Sequence, residues 1–316
     1  MKAIVYEKYG PPDILQLKEV EKPVPKGNEV LIKVHATTVT PMDWHFRQPG
    51  KNIIARMMAG PIKPNNPILG VELAGEIDAI GKDVKLFKEG DQVYAGGRPG
   101  AHAEYVCMPE DKVCMKPINM MYEEAAGTPF CGTTALYFLR ELGNIQDGQK
   151  ILINGASGGV GTMGVQLAKY FGADVTGVCS KSNLEMVESL GVDQVIDYTK
   201  EDFTRTGQTY DIIFDAVGKR SFSQCKNSLN QKGSYLSTLA TIPLLLQMLW
   251  TSKIGDKKAK FGIPPCTTKE LVFLKDVIEA GKMKTIIDRT YPLSDTAEAH
   301  KYSETGHAKG KLVITI

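Results

Sequence analysis

The segment that most restricts the fold is Ile151-Leu152-Ile153-Asn154-Gly155-Ala156-Ser157-Gly158-Gly159-Val160-Gly161. A short apolar strand runs directly into a glycine-rich loop, and a helical pattern follows from Val160 to Phe171. That context is what a dinucleotide-binding fingerprint needs, since a glycine motif alone is weak. In the G-x-G-x-x-G register Ala156 takes the first glycine position, Gly158 the second and Gly161 the third. Gly158 lets the backbone approach a pyrophosphate, and Gly161 lets the helix pack closely on the strand. Amides at the helix start, with the positive end of the helix dipole, receive the phosphate charge. The bland alternative is a tight strand-to-helix turn with no ligand.

The rest of the chain agrees with the fingerprint. Beyond Lys150 strands alternate with helices: Val175–Val178, Gln194–Ile196, Asp211–Phe214 and Ser234–Leu236 read as strands, and Leu184–Leu190 as a helix. This βαβ rhythm predicts a parallel sheet with helices on both faces. The first 120 or so residues read differently, as short strands broken by Pro and Gly, which predicts an irregular and partly open barrel. A last long helix, Lys269–Ala280, precedes a closing strand at Ile286-Ile287, a helix at Thr296–Ser303 and a strong final strand at Lys311–Ile314. The expected organisation is one domain from 1–122 plus 290–316, interrupted by a cofactor domain from 123–289.

The loop also bears on which dinucleotide binds. An NAD site usually carries Asp or Glu about 20 residues beyond the glycines, on the ribose 2′-hydroxyl. Here the strand ends Val178-Cys179-Ser180-Lys181-Ser182-Asn183, with no carboxylate. Ser180 and Lys181 would instead donate to a 2′-phosphate and offset its charge. Tyr198 lies where its hydroxyl could join them. The expectation is NADPH, against the alternative that Lys181 is a solvated residue at a helix start.

Composition excludes several other classes. Lysine plus arginine (38) nearly cancels aspartate plus glutamate (36), and no basic stripe stands out, so a nucleic-acid partner is not expected. Six cysteines without a C-x-x-C pair argue against a disulfide framework or a sequence-local zinc clamp. No signal-peptide pattern opens the chain, and the expected location is cytoplasmic. The longest apolar stretch, Ile242–Trp250, is interrupted by Pro243 and Gln247 and is short of the ~20 residues a spanning helix needs. It reads as a buried or interface helix, with membrane contact as an alternative.

Longer motifs give a resemblance that covers essentially the whole chain. They include Val30-Leu31-Ile32-Lys33-Val34 leading to Thr38-Val39-Thr40-Pro41-Met42-Asp43-Trp44, and Pro67-Ile68-Leu69-Gly70-Val71-Glu72-Leu73-Ala74-Gly75. Gly90-Asp91-Gln92-Val93, Ala125-Ala126-Gly127, Gly132-Thr133-Thr134-Ala135, Phe214-Asp215-Ala216-Val217-Gly218 and Gly306-His307-Ala308-Lys309-Gly310-Lys311 follow in order. The chain resembles the zinc-independent, quinone-oxidoreductase-like members of the medium-chain dehydrogenase/reductase superfamily. The resemblance implies an α/β chain: a GroES-like β-barrel catalytic domain with an inserted Rossmann domain, a doubly wound parallel sheet, and NADPH in the cleft between them. It implies that Ser157, Gly158, Gly159 and Val160 hold the pyrophosphate, and that Ser180, Lys181 and Tyr198 hold the adenosine phosphate. Val217, Gly218 and Ser237 would line the nicotinamide side, with Thr134 nearby, and His307, Ala308 and Lys309 would close over the cofactor.

Departures from the zinc-dependent branch shape the expected chemistry. Thr40 and Val71 stand where those relatives place a cysteine and a histidine, and Met42 stands at the relay hydroxyl. Cys131 is near the third ligand position, but one thiol is not a zinc site. No metal is expected. Hydride transfer is then suited to quinones and α,β-unsaturated carbonyls, where charge moves onto an oxygen already in conjugation. Candidate donors to that oxygen are Thr40, Asp43, Tyr94 and Thr134, although Asp43 also reads as a cap on the following helix. His35, His45 and His102 are candidate acids by residue type alone. The apolar inserts Ile53–Met58 and Ile242–Trp250 suggest a hydrophobic carbonyl or quinone substrate, or a homodimer contact. The competing readings are a non-catalytic NADPH-binding regulatory protein and a metal-dependent alcohol dehydrogenase.

Overall fold

A seven-stranded and a six-stranded sheet organise the computed structural model, which describes residues 1–50, 56 and 59–316. The apolar insert at Ile53–Met58 therefore lies, apart from Arg56, outside the described residues. Two units divide the chain: Met1–Phe130 with Cys266–Ile316, and Cys131–Pro265.

In the first unit β1 (Lys2–Val5) pairs antiparallel with β2 (Gln16–Glu19). The larger sheet is built on β3 (Glu29–Val39), whose alternating Val30, Ile32 and Val34 enter one buried cluster with Leu73, Ile77 and Val93. Period-2 alternation of this kind puts one face of a strand into the core. β4 (Glu72–Ile80) lies antiparallel on one edge of β3 and leads outward to β5 (Gln92–Gly96) and β7 (Val113–Met115). The other edge of β3 is shared. β6 (Tyr105–Pro109) covers Glu29–Lys33 of it.

The second unit is a parallel sheet of β8 (Lys150–Asn154), β9 (Asp174–Cys179), β10 (Gln194–Asp197), β11 (Tyr210–Asp215), β12 (Leu229–Ser237) and β13 (Lys258–Lys260). Their order is β10-β9-β8-β11-β12-β13, so the direction of winding reverses between β8 and β11. Ile151–Ile153 and Ile212–Phe214 are buried runs, as expected for central strands covered on both faces.

The chain then returns to the first unit. The helix Thr268–Glu279 is followed by β14 (Ile287–Pro292), the helix Thr296–Glu304 and β15 (Lys311–Thr315). β15 covers Ala36–Val39 of β3, and β14 adds to it in parallel. This division differs from the expected one, because residues 123–130 and 266–289 group with the first unit. The helix Tyr122–Ala126 packs on β3 and β4. Thr268 donates to the Val113 carbonyl, and Thr285 to that of Glu124. The strand expected to close the parallel sheet at Ile286-Ile287 instead pairs with β15. The Ile242–Trp250 run, read as a buried or interface helix, forms the helix Ile242–Lys253, which buries Leu244 and Thr251 but exposes most of its apolar residues.

One buried ion pair ties the first unit together. Glu72 and Lys311 are both almost fully buried, with the ammonium 2.5 Å from the carboxylate. The same carboxylate accepts from the Thr38 hydroxyl and, at 2.7 Å, from the Phe130 amide. β3, β4, β15 and the entry to the helix Pro129–Leu136 are thereby fixed to one group. Removing one partner leaves a buried charge without its counter-charge. Lys311→Met is expected to lower the unfolding free energy by about 3–5 kcal/mol, read from urea denaturation. An unchanged midpoint would show that this pair does not hold the sheet.

Candidate functional site

In open parallel sheets ligands bind beyond the carboxyl ends of the strands, where the winding reverses. Here that place lies between the ends of β8 and β11. Asp215, the last residue of β11, is fully buried there. Its Oδ1 accepts from Asn154 Nδ2 at 2.9 Å and from the amides of Val217 (3.2 Å) and Gly218 (2.9 Å). Its Oδ2 accepts from the Arg220 amide and the Tyr235 hydroxyl, both at 3.0 Å. Burial, and then the Asp215 charge, push the Tyr235 phenol far above its usual range, so it stays a donor. This network sets the turn that carries Val217 and Gly218. Ser237, at the end of β12, is buried, and its Oγ accepts from the Leu239 amide at 3.3 Å.

The glycine loop meets the same edge. The amides of Gly155 and Ala156 both donate to the Val178 carbonyl at 3.0 Å, which fastens the loop to β9. Gly158 caps the helix Gly159–Tyr170 and makes no side-chain cap bond. First-turn amides have no partner within their own helix, and no acidic residue occupies this first turn. A Cβ at Gly161 would run into the Gly155 carbonyl, so the close helix–strand approach requires glycine. A Cβ at Gly158 would meet only the Gly155 oxygen, at 3.6 Å, with otherwise open space in front of it. An uncapped helix start facing open space fits a pyrophosphate.

Beside the loop, Ser157 Oγ accepts from Asn183 Nδ2 at 3.0 Å, and Asn183 is buried. Asn183 is missed by motif reading; it ties the glycine loop to the turn after β9. Ser180 precedes the single turn Lys181–Asn183, with its hydroxyl 3.1 Å from that of Ser182. The Tyr198 amide donates to the Cys179 carbonyl at 3.1 Å, and its side chain is exposed. Asp197 is a second residue that motif reading misses. Counting along β9 finds no acid, but β10 lies alongside and sets Asp197 opposite Cys179. Hydrogen bonds from the Thr199 hydroxyl and amide to its Oδ1 hold its carboxyl below the usual range, so it is charged.

The first unit holds the remaining candidates except Thr134, which belongs to the second. Asp43 is fully buried; Oδ2 accepts from Thr40 N and Thr40 Oγ1, each at 2.7 Å, and Oδ1 from the Gly70 amide at 2.9 Å. It closes a capping box on the helix Pro41–Arg47. Thr40 and Asp43, both candidate donors, are thus hydrogen-bonded to each other. Tyr94 is likewise buried, with its hydroxyl on the Leu271 carbonyl. His102 is buried, with Nε2 3.0 Å from the Thr38 carbonyl. Burial lowers the pKa of both His35 and His45, so both favour the neutral ring. Thr134 lies nearly buried in the helix Pro129–Leu136. In the tail His307 is exposed, Ala308 packs against the buried cluster that includes Leu312 and Ile314, and the Lys309 amide donates to Asp288 at 3.0 Å. Among the described residues no three His, Cys, Asp or Glu side chains converge as metal ligands would.

Comparison with known proteins agrees with this geometry. Residues 26–118 match the alcohol dehydrogenase GroES-like domain model, and residues 190–314 match the zinc-binding dehydrogenase model. The chain is 33% identical over 354 residues to mouse (Mus musculus) mitochondrial NAD(P)H oxidoreductase RTN4IP1, covering 100% of this chain and 89% of that one. It is 35% identical over 329 residues to a chloroplastic NADPH-dependent alkenal/one oxidoreductase of Arabidopsis thaliana, covering 99% and 79%. The solved quinone oxidoreductase of Coxiella burnetii superposes with a TM-score of 0.89 at 32% identity, covering 100% and 99%.

The two loop glycines are expected to separate by measurement. Gly161→Ala forces the helix off the strand and should cost about 1–3 kcal/mol of stability. Gly158→Ala should leave the urea midpoint within error and weaken dinucleotide binding, followed by fluorescence titration. Equal destabilisation by both would show that Gly158 serves packing alone.

Proposed function

We propose that this chain, which belongs to the quinone-oxidoreductase-like branch of the medium-chain dehydrogenase/reductase superfamily, is an NADPH-dependent reductase of quinones or α,β-unsaturated carbonyls. The observation that carries the reading is the switch point itself: an uncapped helix start beside a turn organised by Asp215. The activity named for its Arabidopsis relative supports the substrate class, and the mouse relative's name supports a nicotinamide dinucleotide.

In this reading Ser157, Gly158, Gly159 and Val160 bind the pyrophosphate through amides and the Ser157 hydroxyl. Ser180, Lys181 and Tyr198 receive the 2′-phosphate, while Asp197 is kept from competing by Thr199. Asp215 aims the Val217-Gly218 backbone, and Ser237 and Thr134 line the nicotinamide side. His307, Ala308 and Lys309 contribute the tail's contacts. When bound, NADPH supplies the hydride. The chain's part is to position and to exclude water. Thr40, Val71 and Met42 offer neither metal ligands nor a proton relay, so full charge on an isolated ketone oxygen would go unsupported. A conjugated acceptor spreads that charge. With Asp43 and Tyr94 engaged internally, solvent protonates the product.

Two measurements test the proposal. Steady-state NADPH consumption should be rapid with a simple quinone or a medium-chain enone and slow with the matching saturated ketone. A saturated ketone reduced as fast as the enone would sink the reading. Lys181→Ala should weaken NADPH about tenfold or more while leaving NADH nearly unchanged, from the loss of a charge-assisted contact worth about 1.5–3 kcal/mol. Equal weakening of both would mean that Lys181 does not read the 2′-phosphate.

A further inference from the structure

The helix Ile242–Lys253 is apolar on two faces, and only one of them has a partner. Leu244 is buried and Met248 packs against the core cluster of the parallel sheet. On the other side Ile242, Leu246 and Leu249 are 76%, 62% and 69% exposed, with Leu245 and Trp250 also exposed. These five sit at i, i+3, i+4, i+7 and i+8, which is one continuous helical stripe. Ile254, the next residue after the helix, extends it. Contiguous exposed apolar surface of this kind marks an interaction site.

The charges around the stripe are mostly basic. Lys226 Nζ lies 5.5 Å from the centre of the Trp250 ring. Lys257 Nζ donates to the Lys226 carbonyl at 2.8 Å, and Lys258 Nζ to that of Gly255 at 3.0 Å. Lys253 ends the helix itself. Asp256 is the single acid between residues 237 and 260. A second copy of this chain docking through the same face would offer these lysines almost no carboxylate, since a two-fold interface presents the same patch from both sides. A surface rich in phosphate would satisfy them.

We propose that this face docks onto an anionic lipid bilayer, with the helix lying in the plane of the headgroups. Leu246, Leu249 and Trp250 enter the acyl boundary, and Lys226, Lys253, Lys257 and Lys258 meet lipid phosphates. Apolar face and basic rim together are the features of an interfacial helix. Twelve residues span about 18 Å, well short of a bilayer core of about 30 Å, so the helix lies on the membrane and does not cross it.

The test is flotation of the full chain with vesicles of phosphatidylcholine, alone or mixed with phosphatidylglycerol. Co-flotation with the mixed vesicles is expected, falling as salt is raised. The exposed double variant L246E/L249E should lose vesicle binding at least tenfold while keeping its circular dichroism and its NADPH affinity. K226E/K253E should weaken binding to the mixed vesicles alone. In a Trp44→Phe background the Trp250 emission should shift to the blue on the mixed vesicles. Equal flotation on phosphatidylcholine alone overturns the anionic-lipid assignment. A wild-type dimer by sedimentation that L246E/L249E converts to monomer, with no flotation by either protein, would show instead that the face belongs to a second copy.

Discussion

A buried carboxylate at the end of one strand sets much of the second unit's functional edge. Asp215 carries no counter-ion among its hydrogen-bond partners; five neutral donors surround it. A buried charge is tolerated only when its lone pairs are met. Meeting them forces the chain after β11 to fold back over its own strand end. Asn154 draws the end of β8 to the same group, so the two strands that flank the reversal are bonded by side chains as well as by backbone. Gly155 of the glycine loop then lies against Val217, in a turn whose shape is already determined.

The first unit uses a different solution to the same problem. Glu72 does have a counter-ion in Lys311, and uses its remaining capacity on Thr38 and the Phe130 amide. Both centres gather elements that are far apart in sequence. Both are built from residues that stand inside recognisable motifs, but whose burial no motif reveals.

What could be read in advance follows from range. The glycine loop and the βαβ alternation are local, and their periodicities survive in any short window. The capping role of Asp43 was also readable, because Thr-Pro-x-Asp is a three-residue relation. Asp197 was not, since it comes to the end of β9 across a strand pair and no count along β9 finds it. β13 is three residues long, two of them lysines, and carries no strand pattern. β14 is polar and half-exposed, and it takes its place only because β15 is there to pair with. The Ile242–Lys253 helix misleads in the opposite sense. An apolar stripe normally signals burial, and here the larger part of it faces outward.

The shared edge of β3 has a consequence for how the chain is made. Residues 29–33 of that edge are covered by β6, which emerges soon afterwards, but residues 36–39 wait for β15. Roughly 270 residues separate the partners, and at about 5–20 residues per second the ribosome needs about 15–50 s to deliver them. For that interval a half-strand of unpaired amides and carbonyls stands open at the edge of a nascent sheet, a template for pairing with other chains. The intervening parallel sheet is complete before β15 appears, so the order of synthesis places the parallel-sheet unit ahead of the unit that encloses it in sequence. Crowded polysomes, more than the finished protein, are where this fold is most exposed to misassembly.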